Sequence, residues 1–130
     1  MSLPQADTAH LSERGINYTV ASEGNMLCVV MHEFALPCGY DKPSSDLLLR
    51  LSPGYPDVPP DMWWFDPPAK LADGRAIQAT ESVENYLGRS WQRWSRHFNG
   101  GQWRPGTDGL ESFLALIRKE LERCVRQPVR

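Results

Sequence analysis

Hydrophobic and polar residues change their spacing several times along the chain, and each change marks an element. Between Leu3 and Gly15, Ala6, Ala9 and Leu11 stand among polar residues and the run closes on Glu-Arg-Gly, which predicts a short helix stopped at Gly15. From Ile16 the period is two: Ile16, Tyr18 and Val20 alternate with Asn17, Thr19 and Ala21, the signature of a half-buried strand. Gly24-Asn25 predicts a turn, after which the apolar run Met26 to Leu36 predicts a second strand, antiparallel to the first. Pro37, Gly39 and Pro43 interrupt the chain, and Asp46 to Leu51 supplies a third strand through Leu47, Leu48, Leu49 and Leu51. The prolines between Ser52 and Pro60 remove backbone donors and predict an ordered irregular loop. Met62 to Phe65, apolar and aromatic between Pro60 and Pro67, predicts a fourth strand.

The segment from Ala69 to Gly101 has a turn signal at Asp73-Gly74, and Trp91, Trp94 and Phe98 at helix-like spacings. It is expected to be irregular apart from one helical turn. Beyond it, Asp108 with Glu111 three residues on matches a capping box, and Leu110, Phe113, Leu114, Ile117 and Leu121 form one apolar stripe at helical period. These elements predict one α+β domain over residues 1–130, its helices packed against a four-stranded antiparallel meander.

Composition narrows the class. A chain of 130 residues with 41% hydrophobic content can bury a core without disulfides or metal. No run of about 20 apolar residues and no basic-then-apolar start is present, so a cytoplasmic protein without membrane attachment is expected. Cys28, Cys38 and Cys124 are odd in number and far apart, and His10, His32 and His97 are equally scattered. That spacing supports neither a disulfide framework nor a zinc site, and no cofactor is expected.

The formal charge of −2 conceals an asymmetry: residues 1–88 hold 5 basic and 12 acidic side chains, residues 89–130 hold 9 basic and 4 acidic. From Asn85 to Thr107 there is no acid, while Arg89, Arg93, Arg96 and Arg104 stand among Trp91, Trp94, Trp103 and His97. Two readings follow for this block. It is a face that docks an anionic partner, since Arg and Trp are enriched at interface centres, or its Trp rings are core cover under an irregular loop.

The motifs GxSxG, GxxxxGK[ST], GxGxxG and HExxH are absent. Cys28, alternating inside an apolar strand, reads as a buried and inert thiol, and Cys124 near a helix C-terminus as incidental. Cys38, in a Pro-Cys-Gly-Tyr loop, is the one thiol whose setting permits reactivity. His97, near guanidinium groups that disfavour its charged form, reads as a neutral base or donor, or as a loop brace. Asn99 reads as a loop amide or a donor to an oxyanion.

These residues carry a family resemblance. The strand order, Leu48-Leu49-Arg50-Leu51, the loop of Tyr55, Pro56, Pro59 and Pro60, and the following aromatic strand resemble the ubiquitin-conjugating (E2) fold with its Tyr-Pro-x-x-Pro-Pro loop. His97-Phe98-Asn99 is similar to the His-Pro-Asn tripeptide of that fold, and Trp103-Arg104-Pro105 to the Trp-x-Pro turn before its crossover helix. Leu36-Pro37-x-Gly39-Tyr40, Pro60-Asp61-Met62 and the Trp91 to Trp103 block look like the prokaryotic E2 family E. The resemblance implies a ubiquitin-like modifier protein and an E1-like (ThiF-type) activating enzyme as partners, with a JAB-type metalloprotease as a further component.

It also exposes a departure. E2 enzymes carry their cysteine between the tripeptide and the Trp turn, where this chain has only Gly100, Gly101 and Gln102 between Asn99 and Trp103. Three readings therefore stand in order. The first is an E2-like module that binds modifier or activating enzyme without the usual cysteine. The second is an active transferase using Cys38 or His97. The third is an anion or nucleic-acid binder using the Arg/Trp block, disfavoured by a pI near 5.9.

Overall fold

The computed structural model describes residues 2–97 and 102–126. Within them the chain runs α1 (Gln5–Glu13), β1 (Tyr18–Glu23), β2 (Met26–Ala35), β3 (Ser44–Leu51), β4 (Trp63–Asp66), β5 (Val83–Tyr86), β6 (Arg89–Trp94) and α2 (Leu110–Arg126). All sheet pairings are antiparallel, in the order β1-β2-β3-β4-β6-β5. The α+β class and the meander of β1 to β4 match the sequence expectation, but the sheet has six strands, not four.

The two added strands lie in the segment read as irregular with a helical turn. Tyr86 and Arg89 are paired, and Leu87 and Gly88 between them have φ of 55° and 71°, the two positive values that a type I′ hairpin turn requires. Leucine is an unusual occupant of such a position, so the turn lacks its Asn-Gly signature. Trp91 and Trp94, three apart, belong to opposite faces of β6: Trp94 is in the main core and Trp91 in a second cluster.

The main core fills the space between one sheet face and the helices. The predicted stripe Leu110, Phe113, Leu114, Ile117 and Leu121 is buried to within 1% exposure, joined by Leu11 of α1. Phe113 meets Trp63 edge-on with ring centroids 6.1 Å apart, and Trp63 stacks on Trp94 at 6.0 Å. Helix α1 ends as predicted: Gly15 has φ of 65°, its N–H donates to the Ser12 carbonyl, and the Ile16 N–H donates to that of Leu11, a Schellman cap.

On the opposite face Cys28, Val30, Leu48, Trp64 and Trp91 form a smaller cluster, covered by the tip of the β5–β6 hairpin. Tyr86 meets Trp64 edge-on at 5.6 Å, the Arg50 guanidinium lies 3.9 Å over Tyr86, and the Leu87 N–H donates to Glu23 of β1 at 2.8 Å. Edge strands at opposite ends of the sheet order thus touch across its face, and the sheet is curled.

The start of α2 corrects another expectation. Asp108 does not cap the helix; its carboxylate accepts the Arg104 N–H at 2.7 Å, and Glu111 faces His10. The Leu110 N–H instead donates to Asp7 of α1 at 2.9 Å, and the Ser112 hydroxyl accepts the Gly109 N–H at 3.1 Å. A buried carboxylate 103 residues away serves the donors and positive dipole end of α2. A Cβ on Gly109 would stand 2.7 Å from that carboxylate, so the approach requires glycine.

Candidate functional site

The proline-rich loop is built from Tyr55 outward. Tyr55 is buried, its hydroxyl donates to Asp7 at 2.6 Å, and its ring lies 6.4 Å from that of Trp103, whose indole N–H donates to the Pro56 carbonyl at 2.8 Å. Pro60 is also buried, Pro56 and Pro59 partly so. One carboxylate, Asp7, therefore ties α1, the loop and the N-terminus of α2 together. Burial and the neighbouring Asp7 push the Tyr55 hydroxyl's pKa far up, so it is a fixed donor.

The Arg/Trp block does not form one surface. Trp91 and Trp94 are fully buried on opposite sheet faces and Trp103 is buried under the loop, so the core-cover expectation describes the three rings. Arg89 pairs with Asp66 at 2.9 Å and Asp46 at 3.0 Å, across β4 and β3. Arg93 pairs with Glu84 at 2.8 Å. Burial would raise the Glu84 carboxyl, but hydrogen bonds from Trp64, Tyr86 and Arg93 outweigh it and hold the pKa below the ordinary range. Arg96 lies over Trp94 and bonds Glu120 of α2 at 2.7 Å. Arg104 is exposed.

His97 is exposed, with Nδ1 3.2 Å from the Asp61 carboxylate, so its neighbour is an acid and not the guanidinium groups expected from the sequence. Asn99 lies outside the described residues. Cys28 and Cys124 are buried, and burial pushes both thiols up, against nearby arginines that pull them down. Cys38 is exposed in the β2–β3 connection, as expected. The adjoining Gly39 packs on Val125 near the end of α2, where a Cβ would clash at 2.7 Å, and Tyr40 donates to the Leu121 carbonyl at 2.8 Å.

Sequence reasoning missed a cleft of about 680 Å³ where the chain leaves β4, bounded by Pro68–Ala72, Gly74–Ile77, Thr80, Glu81, Val83, Asp41 and Gln92. Gln92 makes it possible. This buried side chain mimics a β-ladder to the cleft wall: its carbonyl accepts the Ala69 N–H at 2.8 Å and its amide donates to the Ala69 carbonyl at 3.1 Å. The Trp94 indole N–H donates to the same Gln92 oxygen at 2.9 Å. An uncharged polar residue, Gln92, in the Trp91-Gln92-Arg93-Trp94 run was the one signal in the sequence. The lining offers charge at Asp41, Lys70, Arg75 and Glu81, and a Thr80 hydroxyl committed to the Ile77 carbonyl. It contains no cysteine and no histidine.

Among the described residues no group of three or more His, Cys, Asp or Glu side chains is arranged to hold a metal ion, and no helix is long and apolar enough to cross a membrane. A curled six-stranded antiparallel sheet with two helices on one face defines the described residues as an α+β domain. The chain belongs to the prokaryotic E2 family E, whose model matches residues 3–124. No curated protein and no solved structure matches it.

Proposed function

We propose that this chain is a component of a ubiquitin-like modifier system that binds the modifier or its E1-like (ThiF-type) activating enzyme and does not itself carry the modifier as a thioester. The observation that carries this reading is the placing of the thiols: Cys28 and Cys124 are buried, and between Asn99 and Trp103, where the resemblance puts the E2 cysteine, the sequence holds two glycines and a glutamine. A thioester needs a thiolate in reach of the acyl carbon, and neither glycine nor glutamine supplies one. Family membership supports the E2-like role. A JAB-type metalloprotease is a further partner of such a system.

Transfer through Cys38 is the second reading, favoured by the exposure of that thiol. Cys38 lies in the β2–β3 connection, away from the stretch between Asn99 and Trp103 to which the resemblance assigns the cysteine, which weighs against it. Nucleic-acid binding through the Arg/Trp block ranks last, because buried Trp rings leave no face for a base to stack on. The test is calorimetric titration of the full chain with a purified ThiF-type enzyme and with a purified ubiquitin-like modifier from the same organism, without ATP. A saturable complex with one of them is expected; absence of binding to both overturns the proposal.

A further inference from the structure

β5 is an edge of the sheet, and its register decides which of its main-chain groups are free. With Leu87 and Gly88 as a two-residue turn, Tyr86 and Arg89 are a hydrogen-bonded pair, and such pairs alternate along an antiparallel ladder. Glu84 with Trp91 is the next, and the Ser82 carbonyl, which accepts the Arg93 N–H at 2.9 Å, keeps the same phase. Val83 and Asn85 fall between, so their N–H and C=O groups point away from β6, and no hydrogen bond among the described residues reaches them. Free edges are ordinarily guarded by lysine, proline or a bulge. β5 has none of these: its register with β6 is continuous, and its one charge, Glu84, is turned onto the sheet face of Trp64, where it bonds Trp64, Tyr86 and Arg93.

The same strand borders the cleft. Val83 stands opposite Gln92, so the two side chains share a sheet face, and both line the cavity of about 680 Å³. At 63% exposure Val83 is the most exposed large hydrophobic side chain among the described residues. Around it the lining is apolar at Ala69, Leu71, Ala76 and Ile77, and its charges balance, Asp41 and Glu81 against Lys70 and Arg75. The other edge strand, β1, also exposes a valine, Val20, but none of its residues lines the cleft.

We infer that β5 takes up an extended segment of a partner protein as an added strand, with an aliphatic side chain of that segment opposite Val83 and inside the cleft. The free groups of Val83 and Asn85 call for a main chain in β conformation, and a residue across from Val83 projects to the same face, over the cavity. An apolar lining with balanced charge selects an uncharged aliphatic side chain. A second copy of this chain is the poorer occupant, because two four-residue strands side by side bury far less than the roughly 1,000 Å² that a stable interface needs. The inference is independent of the thioester question and of binding to the activating enzyme.

The experiment is an amide NMR titration of the full chain with the capped peptide acetyl-Thr-Val-Thr-Val-Thr-amide, followed by hydrogen exchange at saturation. Saturable shifts and slowed exchange are expected at the Val83 and Asn85 amides, and neither at Val20 or Ser22 of β1. Val83→Pro removes one free donor and breaks no bond to β6, and should weaken binding about tenfold. Val20→Pro makes the same change on the other edge and should leave binding unaltered. If Val83→Pro fails to fold, Val83→Asp keeps the main chain and puts a charge at the cleft, with the same expected loss. A peptide with alanine in place of both valines should bind more weakly. No saturable binding, equal weakening by the two proline variants, an alanine peptide that binds as tightly, or protection of the same amides by dimerisation without peptide would each overturn the inference.

Discussion

Replacing Asp7 with alanine should destabilise the protein by about 2–4 kcal/mol, more than a change on a short, largely exposed helix ordinarily does. The figure comes from two losses. The Leu110 N–H loses its acceptor at the first turn of α2, and removing a helix N-terminal cap costs about 1 kcal/mol. The Tyr55 hydroxyl, buried and 2.6 Å from Asp7, is left without its acceptor, which costs a further 1–3 kcal/mol or so. Asp7→Asn keeps the volume and one good acceptor, and should lose about half as much. Gly109→Ala should mimic part of the effect by pushing the carboxylate off its donors. Urea denaturation followed by circular dichroism measures each change, with an unaltered m-value as the sign that only the native state is affected. If Asp7 is the shared tie, a cycle with Tyr55→Phe gives a coupling of roughly 1 kcal/mol or more, because residues in one hydrogen-bond network are not additive. A loss under about 0.5 kcal/mol for Asp7→Ala, or additivity within about 0.3 kcal/mol in the cycle, would refute the reasoning.

Other outcomes follow from the same packing. Leu114→Ala should cost about 2–5 kcal/mol in chemical denaturation, since the side chain is fully buried on the α2 stripe. Arg96→Leu should lower the melting temperature, because the guanidinium links β6 to Glu120 on α2; an unchanged melting temperature would return Arg96 to the role of a docking residue. Glu120 is held below the ordinary carboxylate range by Arg123 first, with burial opposing and Arg96 adding, and Asp46 and Glu84 are also depressed. Depressed acids stabilise the fold above their unfolded pKa near 4 and lose that contribution as pH falls through their lower folded values. Stability should therefore be flat toward neutrality and fall below about pH 4, less steeply in Glu120→Gln.

Much of this fold is legible in the chain because local and tertiary preferences agree. The α2 stripe, the Gly15 stop and the leucines of β3 each specify an element whose burial the tertiary structure then uses, whereas β1 forms as a strand but its burial does not follow the alternation, with Val20 exposed on an edge strand. The β5–β6 hairpin escaped because its turn rests on Leu87-Gly88, and because a spacing of three between Trp91 and Trp94 fits one helix face as well as two strand faces. The α2 cap escaped for a different reason: Asp108 and Glu111 satisfy the local rule, and only the tertiary fold brings Asp7 to Leu110. At the site, the exposure of Cys38 and the burial of Cys28 follow from local pattern, while the burial of Cys124, read from the sequence only as incidental, comes from its place on the packed face of α2. The cleft did not, since its wall is an irregular segment held to β6 by one glutamine.

The central claim is that no thiol of this chain accepts the modifier. Incubating the full chain with ATP, the ThiF-type enzyme and the modifier, then separating the products on a non-reducing gel, tests it directly. The expected result is a thioester on the activating enzyme and none on this chain. A reducible adduct on this chain that disappears in Cys38→Ser would contradict the account and make Cys38 the acceptor.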